Sequence, residues 1–175
     1  MKWNVCFEPQ RRQGAETPGR MALVCALIAF LGLTSVSVPA APLELELPTL
    51  VGERFFRLAE VRDRVVVVNF WDTECPPCRR EMPLLDRVAK AHPQVLVLGV
   101  TLSPRRQALD YLERHPVSYL QLSAPREAFG LLRRFGDPAS ALPHTAVLGR
   151  DHGLCARFTG EVTLPWLEEA LERCR

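Results

Sequence analysis

The apolar positions of this 175-residue chain follow two different patterns. From Met21 to Val38 they form one run, MALVCALIAFLGLTSVSV, and no charged residue lies between Arg20 and Glu44. Further on they fall into short β-branched runs and stripes at helical spacing. Val65-Val66-Val67-Val68-Asn69-Phe70-Trp71 has the pattern of a central strand covered on both faces. The spacing predicts a helix over Pro76–Ala91 and a second buried strand over Val95–Thr101. A helix with proline in its first turn comes next over Pro104–His115, then a short extended piece over Ser118–Leu122. Arg126–Phe135 reads as a helix that closes at Gly136. Strands His144–Leu148 and Gly153–Thr159 flank a turn at Arg150–Gly153. The last helix, Leu164–Arg173, aligns Leu164, Leu167, Leu171 and Cys174 on one side.

Strand, helix, strand, helix, then two strands and a helix describe an α/β domain with a central mixed sheet flanked by helices. The first half must be parallel with right-handed crossovers, and the Arg150–Gly153 turn makes the last two strands an antiparallel hairpin.

The run Met21–Val38 stands apart from this domain. Lys2, Arg11, Arg12 and Arg20 precede it, which places the amino terminus in the cytoplasm and exports the remainder of the chain. Ala22–Leu33 has the length of a signal-peptide core, and Ser37-Val38-Pro39-Ala40-Ala41 offers small residues for cleavage near Ala40. Uncut, the same stretch is long enough to span a bilayer. Residues 1–40 are thus expected to be a cytoplasmic amino terminus plus a signal peptide or membrane anchor, and 41–175 a single exported domain. That domain is periplasmic, secreted or held at the inner membrane by residues 21–38. Arg11-Arg12 lacks the hydrophobic residues a twin-arginine signal needs next, and Cys25 opens the apolar run, unlike a lipobox cysteine, which ends one.

Composition narrows the classes. The chain is 47% hydrophobic with a net charge of +2, which excludes disorder as the main state. From Ala41 onward it carries 18 basic and 18 acidic residues, so nothing draws it to nucleic acid.

The chemistry sits at Cys75-Pro76-Pro77-Cys78, directly after the buried strand and at the start of a helix. There, free backbone N–H groups and the positive end of the helix dipole stabilise a thiolate on Cys75. Cys78, about one turn further in, is expected to be shielded and to resolve the mixed disulfide. On the helical wheel Cys78, Met82, Leu85, Val88 and Ala89 form an apolar stripe, and Glu81 falls inside it. A carboxylate there is expected to be desolvated, with a raised pKa, and able to exchange a proton with the buried thiol.

Val65–Pro83, VVVVNFWDTECPPCRREMP, resembles the active-site stretch of the thioredoxin superfamily, most closely the TlpA/ResA-like (DsbE/CcmG-related) exported thiol–disulfide oxidoreductases. The resemblance runs from about Pro48 to the end and implies a thioredoxin fold with helices on both faces of the sheet. Ala141-Leu142-Pro143-His144 resembles the family's cis-proline loop. The family implies that Pro143 is cis and packs against the disulfide, and that the Leu142 backbone pairs with substrate. Pro76, Pro77 and His144 complete the expected substrate surface. Glu74 departs from the family where an aromatic residue is common; pointing inward, it would raise the Cys75 pKa. Asn69 stands where cytosolic thioredoxins bury an Asp, which strengthens the expectation for Glu81. Phe135–Pro143 is slightly longer than the usual loop.

The resulting expectation is a protein-disulfide reductase, serving cytochrome c maturation or other periplasmic partners. Its partners are protein disulfide substrates and a membrane thiol protein that supplies electrons, plus the inner membrane if the anchor is uncut. No cofactor and no metal is assigned; the Cys75–Cys78 disulfide carries the chemistry. The competing reading is a copper-binding chaperone using Cys75, Cys78 and His144. Cys155 and Cys174 could meet in a structural bridge, and Cys174 equally fits its helix as plain core.

Overall fold

The computed structural model describes residues 42–175, apart from 53 and 125–127. The apolar run Met21–Val38 and the expected boundary at residue 40 lie outside the described residues. Among the described residues no helix is long and apolar enough to cross a membrane.

The elements in chain order are β1 (Glu46–Pro48), β2 (Phe55–Arg57), a 3-10 turn (Leu58–Glu60), β3 (Val66–Trp71), α1 (Pro76–Ala91), β4 (Leu96–Thr101) and α2 (Arg105–Arg114). Then come β5 (Leu120–Ser123), α3 (Phe129–Arg134), β6 (His144–Leu148), β7 (Leu154–Thr159) and α4 (Leu164–Arg173). Five strands form one mixed sheet in the order β5-β4-β3-β6-β7. β3, β4 and β5 run parallel; β6 and β7 are antiparallel to their neighbours. This is the thioredoxin fold.

Every residue of β3 is buried. Strand alternation divides them between two cores. Val66, Val68 and Phe70 face a cluster with Leu47, Leu132 and Phe135, built by the β1–β2 hairpin and α3. Val67 faces the opposite cluster with Leu85, Val88, Leu167 and Leu171, from α1 and α4. Trp71, on that same side, packs with Cys78, Met82 and Tyr111, which brings in α2. Helices therefore cover both faces, three on the side of the cysteines and one on the other.

The expected strands and helices are present within a few residues of their predicted bounds. Two features differ. The β1–β2 hairpin has strands of three residues, too short for a periodicity to show. Leu164, read as part of the buried stripe of the last helix, is 41% exposed, and Ala170 takes the inward position instead.

The two sheet edges differ. Thr49 bridges to Leu122 on β5, which occupies part of that edge. On the other edge Cys155 of β7 is disulfide-bonded to Cys174 at the end of α4, with Cα atoms 5.7 Å apart. The bridge is therefore formed, and Cys174 is also core, at 5% exposure.

A closed loop of this length restricts the unfolded chain by about 3 kcal/mol. The Cys155→Ala/Cys174→Ala double variant of the full chain is expected to lose about that much stability in denaturant titration, and a loss below about 1 kcal/mol would deny the bridge that role.

Candidate active site

β3 ends at Trp71, and the chain turns directly into α1. The turn is held from two sides. The Glu74 and Cys75 N–H groups donate to Asp72 Oδ1 (2.8 Å) and the Asp72 carbonyl (3.2 Å). The Thr73 N–H donates to Ser103 Oγ (2.8 Å), and the Ser103 hydroxyl donates to Thr73 Oγ1 (3.1 Å), which ties the turn to the end of β4. Below it, Trp71 Nε1–H donates to Gln121 Oε1 (3.0 Å). That amide crosses the sheet over Gly99, where a Cβ would collide with Gln121 Oε1. Glycine is needed there for close approach.

Cys75 is the N-cap of α1, and Pro76 and Pro77 fill the first helical positions, where a missing N–H costs nothing. Cys75 and Cys78 are disulfide-bonded, with Cα atoms 5.3 Å apart. The Cys78 N–H donates to Cys75 Sγ (3.2 Å). Cys75 is half-buried, whereas Cys78 is 0% exposed. The arrangement leaves one sulfur open to attack and the other sealed. Glu74 is exposed.

Glu81 sits one turn beyond Cys78 and is 1% exposed. The adjacent Arg80 does not neutralise it and pairs instead with Glu161 (2.7 Å). Glu81 Oε1 accepts from Asn69 Nδ2 (2.7 Å), and Oε2 accepts from the Val162 N–H (2.8 Å). Asn69 Nδ2 also donates to Thr145 Oγ1 (3.0 Å). Burial pushes the Glu81 carboxyl up to about 7; the hydrogen bonds from Val162 and Asn69 oppose this, and nearby Glu161 adds to it.

The peptide bond Leu142–Pro143 is cis. Leu142 packs against the cluster that contains Cys78, as does Cys75. Asp137 holds the loop leading to it, accepting from the Ala139 N–H (3.1 Å) and the Ala141 N–H (2.6 Å). The loop Phe135–Pro143 is thus built around one buried carboxylate. Sequence reasoning missed Asp137, although Asp-Pro is a turn signal. It also missed Val162 and Gln121, which reach the site through long-range pairing and carry no local signature.

His144 requires a correction. Its position on β6 puts it on the same face as Ala146 and Leu148, the face covered by α3, while Cys78 and Glu81 belong to the opposite side. The ring is 0% exposed. Its two nitrogens lie 2.9 Å from Thr159 Oγ1 and 3.0 Å from the Phe135 carbonyl. Neither is free for a metal or a substrate. His144 and the Cys75–Cys78 pair thus lie on opposite faces of the sheet and do not form one ligand set.

This fold, with a cysteine pair bridged at the start of α1, defines a thioredoxin-fold thiol–disulfide oxidoreductase. A model of the Redoxin family matches residues 37–171, and the chain belongs to that family. Thiol-disulfide oxidoreductase ResA of Geobacillus thermodenitrificans is 26% identical over 166 residues, 87% of this chain and 92% of its own. A thiol:disulfide interchange protein DsbE homolog of Paracoccus denitrificans is 33% identical over 117 residues, 61% of this chain and 62% of its own. Among solved structures, a DsbF homologue from Corynebacterium diphtheriae superimposes with a TM-score of 0.66 at 28% identity, covering 76% of this chain and 85% of that one. The chain is thus a TlpA/ResA-like, DsbE-related oxidoreductase whose substrates are protein thiols and disulfides.

The Glu81 pKa makes a stability prediction. In the unfolded chain the carboxyl ionises near 4.5; in the folded chain it does so near 7. Between these values the folded state binds more protons, so stability falls as pH rises through the window. The full shift corresponds to roughly 3 kcal/mol. Glu81→Gln is expected to flatten this slope between pH 4.5 and 7 in denaturant titrations. An unchanged slope would show that Glu81 does not titrate there.

Proposed function

We propose that the protein is an exported reductase of protein disulfides that works through Cys75 and Cys78. The observation that carries this reading is the pairing of a half-buried Cys75 with a sealed Cys78 at a helix start, one turn from a buried carboxylate. The Cys75 thiolate attacks one sulfur of a partner disulfide. A Cys75–partner bond forms, and the other partner sulfur leaves as a thiolate that takes up a proton. Cys78 gives its proton to Glu81 and attacks Cys75 Sγ. The partner's second sulfur is released, and the Cys75–Cys78 bond forms. Two electrons pass from the dithiol to the partner. Glu81, raised to about 7, suits this proton exchange near neutral pH.

Leu142 and Pro143 present the partner strand, beside Pro76, which is exposed, and Pro77, which is half-buried. Among the described residues the Leu142 N–H and carbonyl have no backbone partner, which leaves both free for an extended peptide. His144 has no such role, being sealed beneath the surface. We place residues 1–40 as the cytoplasmic amino terminus with a signal peptide or anchor, and 41–175 as the periplasmic or secreted catalytic domain. A membrane thiol protein re-reduces it, and cytochrome c maturation is the process the resemblance favours.

Three measurements on the full chain test this. The Cys75–Cys78 potential is expected near about −270 mV; a value near about −120 mV would make the protein an oxidant. Cys78→Ser should accumulate mixed disulfides with partner proteins, and Cys75→Ser should accumulate none. Glu81→Gln should slow resolution by about a hundredfold while leaving the first attack on a model disulfide nearly unchanged, and an equal effect on both steps would remove Glu81 from the proton step.

A further inference from the structure

A groove of about 410 Å³ runs between α1 and α2 and begins at Arg79, the residue after Cys78. Met82, Pro83 and Val117 line it. A second hollow of about 310 Å³ shares Arg79, Tyr111 and His115 with the groove and reaches Thr73 and Glu74 at the active-site turn. The two hollows adjoin at Arg79, Tyr111 and His115, beside the active-site turn.

Its charge is unbalanced. Among the described residues Arg79 and Arg87 make no ion pair, and Arg114 donates only to the Asp110 carbonyl (3.0 Å). The carboxylates nearby are mostly committed. Asp86 accepts from Lys90 Nζ (2.6 Å) and from the Ser118 N–H and hydroxyl (2.6 and 2.7 Å). Asp110 pairs with Arg106 (3.0 Å). Glu74 is left as the uncommitted acid against three guanidinium groups. This excess is local, because residues 41–175 balance 18 basic against 18 acidic groups.

Tyr111 lies where the two hollows meet. It is 8% exposed, and its hydroxyl makes no hydrogen bond among the described residues. Arg79 and Arg114 both lie close enough to act on that hydroxyl. Two cations and the Tyr111 ring thus line one hollow that reaches the active-site turn at Thr73 and Glu74.

We propose that this depression docks an acidic segment of the partner polypeptide, its carboxylates received by Arg79, Arg87, Arg114 and the Tyr111 hydroxyl while its cysteine engages Cys75. The proposal rests on the disulfide-exchange reading above. The occupant is a polypeptide because the depression starts at the turn that carries Cys75, so a chain joined there continues directly into it. Arg79 and Arg87 are eight residues apart on α1, about 12 Å along the axis, which about four extended residues span. The acidic positions therefore lie within a few residues of the partner's cysteine.

Two synthetic peptides test this against the reduced full-length protein. Each carries one cysteine as a mixed disulfide with 2-nitro-5-thiobenzoate, followed by four glutamates in one and four glutamines in the other. Attack of the Cys75 thiolate on the peptide sulfur expels the coloured thiolate, which gives the rate. The acidic peptide is expected to react about tenfold faster at low ionic strength, and the advantage should collapse near about 0.5 M salt as the charges are screened. Arg114→Glu and Arg87→Glu should each abolish that preference, whereas Arg173→Glu, the same charge change on α4, should retain it. Equal rates for the two peptides, or a preference that survives Arg114→Glu and Arg87→Glu, would overturn the docking groove alone. Failure of both peptides to react would overturn the exchange reading and the groove with it.

Discussion

The alternation of side chains along β3 decides what α1 can touch. A strand buried on both faces must send successive residues to opposite cores. Because Phe70 faces α3, its neighbours Asn69 and Trp71 must face the helices that carry the cysteines. Trp71 becomes the floor under Cys78 and Met82, and Asn69 becomes the only side-chain donor to Glu81 among the described residues. A shift of one residue in register would exchange these for Val68 and Phe70. The helix would then rest on apolar side chains of β3, and nothing on that strand would meet its carboxylate.

That carboxylate is where stability and function oppose each other. Desolvating a charge is costly, and two hydrogen bonds offset only part of that cost. The fold accepts this at one position of an otherwise apolar stripe. A leucine at residue 81 would pack better and would remove the carboxyl that we propose takes up the Cys78 proton. The same logic separates the two disulfides. Cys155–Cys174 joins an edge strand to the end of a helix. Cys75–Cys78 sits at a helix start, where the Cys78 N–H donates to Cys75 Sγ, one turn from the buried Glu81.

Much of this is legible in the chain itself. The run Val65–Trp71 can only be a covered strand, and the stripe from Cys78 to Val88 sets Glu81 inward. Cysteines three apart at a helix start leave little room for a different site. Partners supplied across long sequence distances cannot be read this way: Val162 for Glu81, Gln121 for Trp71, and the β1–β2 hairpin with its three-residue strands. His144 shows a different failure. Its place after Pro143 suggests a contact residue, but its parity with Ala146 and Leu148 turns the ring to the far side of the sheet. The alternation that sorts β3 between two cores sorts β6 as well, and it assigns His144 to the α3 side. Asp137 is obscured because a loop carboxylate reads as solvated until its two N–H partners are known.

The second hydrogen bond to Glu81 comes from the main chain at Val162. Every amino acid except proline supplies that N–H. The identity of residue 162 is therefore open to drift as far as this contact is concerned, whereas residue 69 is not. Across diverging descendants, half of the carboxylate's anchorage would be inherited with the backbone path between β7 and α4, invisible to any comparison of side chains.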